Sequence, residues 1–320
     1  MTGTELAFGV DIGGTNTVYG AVDRSGKVLV KGSMPTPRDG NVAAYMDHIA
    51  QALKQLVAEL PGNPQVCGIG IGAPNGNYFS GTIESAPNLN LPPLVPVVSM
   101  MQERYPCGII RLTNDANAAA MGEMMYGGAK GMRDFMVVTL GTGLGSGIVS
   151  GGSMVYGHDG FAGELGHVTV KRGGRECGCG RQGCLETYAS ATGLCRTAQE
   201  LLAHMNAPSR LRNLSSSDIS ARILHDFALD GDAVALETFR LTGEILGWAL
   251  ADAIALFSPQ AIFLFGGLAN AGEMLFKPTR EAMIANTMHI FQNKTRLLPS
   301  GIPEGDAAIL GASALVWDAG

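Results

Sequence analysis

Basic charge is what this chain has least of. Lys and Arg number 22 against 28 Asp and Glu, the formal net charge is -6, and no long basic run appears. Nucleic acid is gripped by clustered Lys and Arg, so that balance argues against it as a main partner. The N-terminus, MTGTELAFGVDIGG, has no basic stretch leading into an apolar one and does not read as a signal peptide. An unbroken apolar run of roughly 20 residues, the length a membrane span needs, is also missing. The most apolar stretch, ILGWALADAIALFSPQAIFLF from Ile245, contains Asp252, Ser258, Pro259 and Gln260. It reads as a buried helix, a proline break and a buried strand. No membrane partner and a cytoplasmic location are therefore expected. Cysteine is sparse, with six in 320 residues. Cytosolic thiols stay reduced, so cysteines that cluster there point to metal or catalysis rather than to disulfides.

Glycine, in contrast, reaches 45 residues, about twice its usual share of roughly 7%. So much glycine implies many tight turns, or backbone approaching a ligand closely. Hydrophobic residues make up 46% and charged residues 16%, enough for a sizeable core.

The opening LAFGVDIGGTNTVYGAVDRSGKVLVKGSM alternates and is punctuated at Gly13-Gly14 and at Asp23 to Gly26. It predicts three strands joined by hairpins. Apolar residues at helical spacing predict a helix over 42–60. QVCGIGIGAP and GIIRLTN read as buried strands, and ANAAAMGEMMYGG as a helix ending at Gly127-Gly128. The opening pattern then recurs in DFMVVTLGTGLGSGIVSGGSMVYG, with Val138-Thr139-Leu140-Gly141 matching Val10-Asp11-Ile12-Gly13. A whole unit is repeated, which predicts two related α/β lobes. Helices follow, one over about 233–257, then the strand QAIFLFGG, a helix after Ala269, and a last helix in GDAAILGASALVWDA. No Ser/Pro linker divides the lobes. The expected first lobe is 1–113, with helix 305–320 packing back on it, and the second is 114–304, with a hinge near Thr113 to Asp115.

Three of the six cysteines, Cys177, Cys179 and Cys184, fall within one Gly-rich loop that begins ten residues after His167. Three thiolates and an imidazole suit tetrahedral zinc, and a closed set of three cysteines and one histidine reads as structural. Cys67, Cys107 and Cys195 are isolated and are expected to be simply buried. VDIGGTN puts Asp11 at a strand end before Gly13, Gly14 and Thr15. Successive N–H groups and a Thr hydroxyl can bind phosphate, and a nearby carboxylate can hold Mg²⁺ through water. An ordinary hairpin turn explains the same residues. Thr139 to Gly147, TLGTGLGSG, is ambiguous in the same way, but two such turns at equivalent places in repeated lobes could grip one polyphosphate. Neither is a P-loop, because no Gly-Lys-Ser/Thr follows. Asn114 and Asp115 lie after a strand and before a helix, where α/β sheets bind ligands. They are equally suited to cap that helix, while an Asp there could act as general base on a hydroxyl. Gly266 and Gly267 form another strand-to-helix turn.

Taken together, DIGGTN, GTGLGSG, GELGH and CGCGRQGCLE resemble the ROK family of repressors, open reading frames and kinases. The resemblance runs over essentially the whole chain. It implies an actin/hexokinase-like (ribonuclease H-like) α/β fold with duplicated lobes around an ATP cleft. It also implies phosphoryl transfer from ATP to a hexose, glucose first, with N-acetylmannosamine, N-acetylglucosamine, fructose or allose as alternatives. By that resemblance Asp11, Gly13, Gly14 and Thr15 handle the phosphates and Mg²⁺. Gly141, Thr142, Gly143 and Gly145 clamp from the second lobe, and Gly266 and Gly267 lie near the adenosine. Asp115 is the implied base. Gly76, Asn88, Asn114, Glu164, His167 and Glu186 are implied sugar contacts, and His167, Cys177, Cys179 and Cys184 zinc ligands. A homodimer is the expected assembly. The family's first-lobe loop commonly reads Gly-x-Pro-Gly; here Asn75 stands between Pro74 and Gly76. Family repressors carry an N-terminal helix-turn-helix, whereas here the first strand is expected within a few residues of Met1, so a repressor is the lesser expectation.

Overall fold

The computed structural model describes residues 5–62 and 64–317. The chain divides into two compact units. One comprises the residues up to Arg133, Gly147–Gly163 and everything from Ser300 onward; the other comprises Asp134–Ser146 and Glu164–Pro299.

The first unit opens with the three predicted strands, β1 (Glu5–Ile12), β2 (Asn16–Asp23) and β3 (Val28–Pro35), followed by α1 (Val42–Ala58). Next come β4 (Gln65–Gly72), the short β5 (Gly76–Asn77), β6 (Thr82–Glu84) and β7 (Leu94–Val95), then α2 (Val97–Arg104), β8 (Ile109–Thr113) and α3 (Asp115–Tyr126). The main sheet has the order β3-β2-β1-β4-β8, with β1 antiparallel to β2 and parallel to β4. α1 turns Tyr45, Met46, Ile49 and Leu53 into a core with Phe8, Val10, Ile69 and Ile71. Each fully buried side chain of this size contributes about 1.5–3 kcal/mol.

The repeat is β9 (Phe135–Leu140), β10 (Leu144–Ser150) and β11 (Ser153–Met154), and the division between the units falls inside β10. Helices α4 (Ala191–His204), α5 (Ala221–Leu229) and α6 (Ala233–Phe257) follow, then β12 (Ala261–Phe265), α7 (Glu273–Asn286), β13 (Arg296–Pro299) and α8 (Ala307–Trp317). This sheet has the order β11-β10-β9-β12-β13, which matches the first strand for strand. The duplication read in the sequence is thus a duplication of topology. α6 starts where Asp232 accepts the N–H groups of Val234 and Ala235 at 3.1 Å, and it stops at Ser258 in the left-handed region (φ 47°) just before Pro259. Its length and apolar composition do not make it a membrane span, and no helix among the described residues is long and apolar enough to be one.

Glycines set how closely α8 approaches the first sheet. A Cβ on Gly9 would come within 1.9 Å of the Ile309 carbonyl oxygen, and one on Gly70 within 1.8 Å of that of Ala312. These two positions of β1 and β4 must be bare for α8 to lie on the strands. Residues 318–320 of the expected last helix lie outside the described residues.

Candidate active site

Three parallel strands of the first unit end side by side. Asp11 of β1 is in register with Gly72 of β4, and Gly72 with Thr113 of β8. Asp115 follows two residues later. A Cβ on Gly72 would lie 3.3 Å from Asp11 Oδ1 and 3.9 Å from the Asp115 Cα, so that glycine separates the Asp11 carboxylate from the backbone of Asp115. Burial, with repulsion from Asp115 added, pushes the Asp11 carboxyl up to about 7. Enclosure also raises Asp115, against the bond it accepts from the Ala116 N–H at 2.8 Å. The residue remains exposed on one side, so water limits that rise. The cap of α3 is Asn114, whose Oδ1 accepts from the Asn117 N–H at 2.7 Å. Asp115 is therefore not the cap. Among the described residues the Asn114 Nδ2 has no partner, which leaves it able to donate to a ligand.

Beyond Asp11 the chain turns through Gly13, Gly14 and Thr15, closed by Gly13 N–H to the Asn16 carbonyl at 3.1 Å. Among the described residues neither the Gly14 nor the Thr15 N–H has a partner, and Thr15 is exposed. Adjacent free N–H groups make an anion site. Asn88 packs onto this turn: a Cβ on Gly14 would sit 2.8 Å from its carbonyl oxygen. Gly76 in turn lies against Thr113, where a Cβ would meet the carbonyl oxygen at 2.4 Å. Asn75 adopts φ 52°, the left-handed conformation that Asn tolerates better than other side chains. Its Nδ2 donates to the carbonyls of Glu84 at 3.0 Å and Ser85 at 3.3 Å. Asn75 thus takes a left-handed conformation of the kind glycine commonly supplies. Asp11, Gly13–Thr15, Gly76, Asn88, Asn114 and Asp115 gather at one end of the first sheet.

In the second unit the equivalent turn is closed by Gly141 N–H to the Gly143 carbonyl at 3.0 Å, and Gly145 N–H donates to Thr139 Oγ1 at 3.2 Å. Thr142 is at its exposed tip. Gly266 (φ 99°) presses on Leu140, whose carbonyl also accepts the Leu268 N–H at 3.1 Å, which brings Gly266 and Gly267 beside Gly141. Gly141 and Gly267 have nothing within 4 Å of where a Cβ would stand. Glu186 joins this turn to the cysteine loop. Its Oε2 accepts the Leu144 N–H at 3.0 Å and would lie 2.3 Å from a Cβ on Gly143, while its Oε1 accepts from Cys177 Sγ at 3.8 Å.

The side-chain donor atoms of His167, Cys177, Cys179 and Cys184 all lie within 4.8 Å of one another. Cys177 Sγ is 3.6 Å from His167 Nδ1, and Cys179 Sγ is 3.6 Å from Cys184 Sγ. Zinc bonds of about 2.0–2.3 Å in a tetrahedron separate the donors by about 3.5–3.8 Å, so the set fits that ion. Burial opposes ionisation of Cys179, but hydrogen bonds from the Arg181 backbone and guanidinium outweigh it and bring the thiol down to about 6. His167 uses Nδ1 toward the sulfurs, and its Nε2 points to Glu164 Oε2 at 3.9 Å. The other three cysteines differ from expectation: Cys67, Cys107 and Cys195 are half-buried rather than fully enclosed, and burial raises the pKa of each.

Nothing local in the sequence marks Gly72, because its place between Asp11 and Asp115 depends on strand register. Residues 7–319 of the chain match the ROK family. A glucokinase of Thermotoga maritima is 34% identical over 312 residues, 97% of this chain and 96% of its own. A crystal structure of a ROK family glucokinase from Streptomyces griseus, in complex with glucose and AMPPNP, superimposes with a TM-score of 0.79 at 34% identity, covering 97% of this chain and 98% of that one. A xylose repressor of Bacillus subtilis is 30% identical over 274 residues, 85% of this chain and 67% of the repressor. With the duplicated sheets and the cluster of one histidine and three cysteines already in place, these matches establish that the chain belongs to the ROK family.

Proposed function

We propose that this ROK protein is an ATP-dependent hexose kinase with glucose as its first substrate. The observation that carries the reading is the pair Asp11 and Asp115, two carboxylates raised by enclosure at adjacent parallel strand ends, beside a turn with free N–H groups. Asp115 takes the proton of a sugar hydroxyl, and that oxygen attacks the γ-phosphate of ATP. A raised carboxyl is a stronger proton acceptor than an ordinary one, which suits a weakly acidic hydroxyl. The Gly14 and Thr15 N–H groups receive phosphate oxygens, and Asp11 would hold Mg²⁺ through water, the ion supplying charge neutralisation at the phosphates. Gly141, Thr142, Gly143 and Gly145, with Gly266 and Gly267, take the nucleotide in the second unit. In the first unit Gly76, Asn88 and Asn114, and in the second Glu164, His167 and Glu186, are the candidate contacts for sugar hydroxyls. Zinc would supply a crosslink: His167, Cys177, Cys179 and Cys184 would hold it, and the loop carrying Glu164 and Glu186 would be fixed as a result. The likeness to a xylose repressor supports a second reading, sugar sensing without turnover.

ADP release measured across glucose, fructose, allose, N-acetylglucosamine and N-acetylmannosamine separates these readings. Glucose is expected to give the highest kcat/KM. A higher value for N-acetylmannosamine overturns the sugar while leaving the kinase, and no ADP release with any of them supports sensing.

Elemental analysis of protein purified without added metal is expected to give one zinc per chain. Cys179→Ala should lose the ion and weaken sugar binding more than ATP binding. Full activity in zinc-free protein would contradict a structural role.

The Asp11 carboxyl has an unusual consequence for stability. Its folded pKa, about 7, lies above the ordinary value of 3.8. The folded state therefore binds the proton more tightly, and stability falls as pH rises from about 4 to 7. Asp11→Asn removes that penalty. Without Mg²⁺ the variant should melt higher than wild type at pH 8, by roughly 2–4 °C, the scale of about 1 kcal/mol in a protein of this size. The gap should vanish near pH 4, and kcat should collapse at both. Equal melting temperatures at pH 8 would show that Asp11 is not strained by ionisation.

A further inference from the structure

Behind the Gly13–Thr15 turn lies a line of buried hydroxyls that the proposed chemistry does not use. Thr36 follows the end of β3. Its N–H donates to the Thr15 carbonyl at 2.9 Å, and its Oγ1 donates to the Gly13 carbonyl at 2.7 Å. Thr17 Oγ1 is 2.9 Å from Thr36 Oγ1 and is bonded on its other side to the Tyr45 hydroxyl of α1. Tyr45 is 1% exposed, Thr17 0% and Thr36 6%, so no water competes for these bonds.

The donor at each link follows from counting protons. A carbonyl only accepts, so the single Thr36 hydroxyl proton goes to Gly13. Thr36 must then accept from Thr17, whose own proton is thereby used, and Thr17 must accept from Tyr45. The chain runs one way: Tyr45 to Thr17 to Thr36 to the Gly13 carbonyl. Burial pushes the Tyr45 phenol up, which keeps its proton in place at neutral pH. Chains of this kind polarise in one direction and hold one rotamer at every link.

We propose that Thr36 is the positioning residue of the phosphate turn. By drawing the Gly13 carbonyl to its own side it turns the N–H of the same peptide, that of Gly14, the other way and without a partner; its bond to the Thr15 carbonyl anchors the far end of the turn, and the Thr17–Tyr45 line fixes its rotamer from the helix behind. The proposal rests on the reading that this turn binds nucleotide phosphate. Thr36 touches neither nucleotide nor sugar; it acts through backbone geometry, and Tyr45 extends that control to α1. Its loss should therefore appear in nucleotide affinity and not in sugar affinity.

The test compares wild type, Thr36→Val, Thr36→Ser, Tyr45→Phe and Gly14→Ala for KM with MgATP, KM with sugar, kcat and thermal melting. Gly14→Ala disturbs the turn directly, because its Cβ would stand 2.8 Å from the Asn88 carbonyl oxygen. Thr36→Val, which keeps shape and loses the hydroxyl, is expected to raise the MgATP KM about tenfold, the factor of one lost hydrogen bond, with the sugar KM within about twofold. Thr36→Ser should restore it. Tyr45→Phe, which keeps the ring in the core, should raise it about two- to fivefold and decides the matter if Thr36→Val does not fold. A raised MgATP KM in Gly14→Ala but not in Thr36→Val or Tyr45→Phe overturns the positioning role of Thr36 and leaves the turn as a phosphate site. An unchanged MgATP KM in all of them overturns the phosphate reading and the positioning role with it. Equal rises in the KM for sugar and for MgATP would make Thr36 a general structural residue and also overturn the proposal.

Discussion

The alignment of Asp11 with Gly72 and of Gly72 with Thr113 is the constraint on which the first unit's proposed chemistry depends. Parallel pairing brings the strand ends level, and the absent side chain at 72 lets two carboxyl-bearing residues approach. Everything that raises Asp11, and the place of Asp115 at the start of α3, follows from that register. A side chain at 72 would fill the space between them, 3.3 Å from Asp11 Oδ1. The register is itself held from the other side by α8, which rests on the bare positions Gly9 and Gly70 of the same two strands. Glycine in this sheet thus serves two ends: close helix packing in the middle of β1 and β4, and a shared site at the end of β4.

In the second unit Glu186 has the corresponding central place. One carboxylate oxygen accepts the N–H of Leu144 in the Gly-rich turn, and the other faces Cys177 of the cysteine cluster. A loop with little regular structure of its own therefore depends on local crosslinks. The geometry of the three sulfurs and the imidazole is compatible with one tetrahedral ion, and His167 reaches Glu164 with the nitrogen that does not face the sulfurs. An ion held there would orient the residues around it, as metal sites commonly do.

How much of this was legible in the sequence follows from how local each feature is. The spacing of the three cysteines after His167, the hairpins of β1 to β3, the bounds of α6 and its stop before Pro259 are written in adjacent residues. The repeat was readable because a whole unit recurs, and the matching sheet orders bear it out. Asn114 and Asp115 were picked out together, but only the hydrogen bond to Asn117 assigns the cap to Asn114. Asn75 departs from the family's Gly-x-Pro-Gly pattern, and its left-handed φ is not readable from the sequence. The roles of Gly72, Thr36 and the Tyr45 hydroxyl are not legible in the sequence. Their significance lies in pairs 19 to 61 residues apart or in strand register, and periodicity reports which face a residue is on, not what it meets there. The return of residues 147–163 to the first unit is likewise unmarked by any change in composition.

The proposed phosphoryl transfer depends on Asp115 as the proton acceptor. Because Asn114 already caps α3, Asp115→Asn should leave the fold intact while removing the carboxylate proposed to take the proton. The direct measurement is kcat of that variant beside its melting curve and its glucose and MgATP affinities. An unchanged melt, retained binding and a loss of roughly 10²–10⁴-fold in kcat is the predicted result; near-wild-type kcat in a folded variant would contradict it.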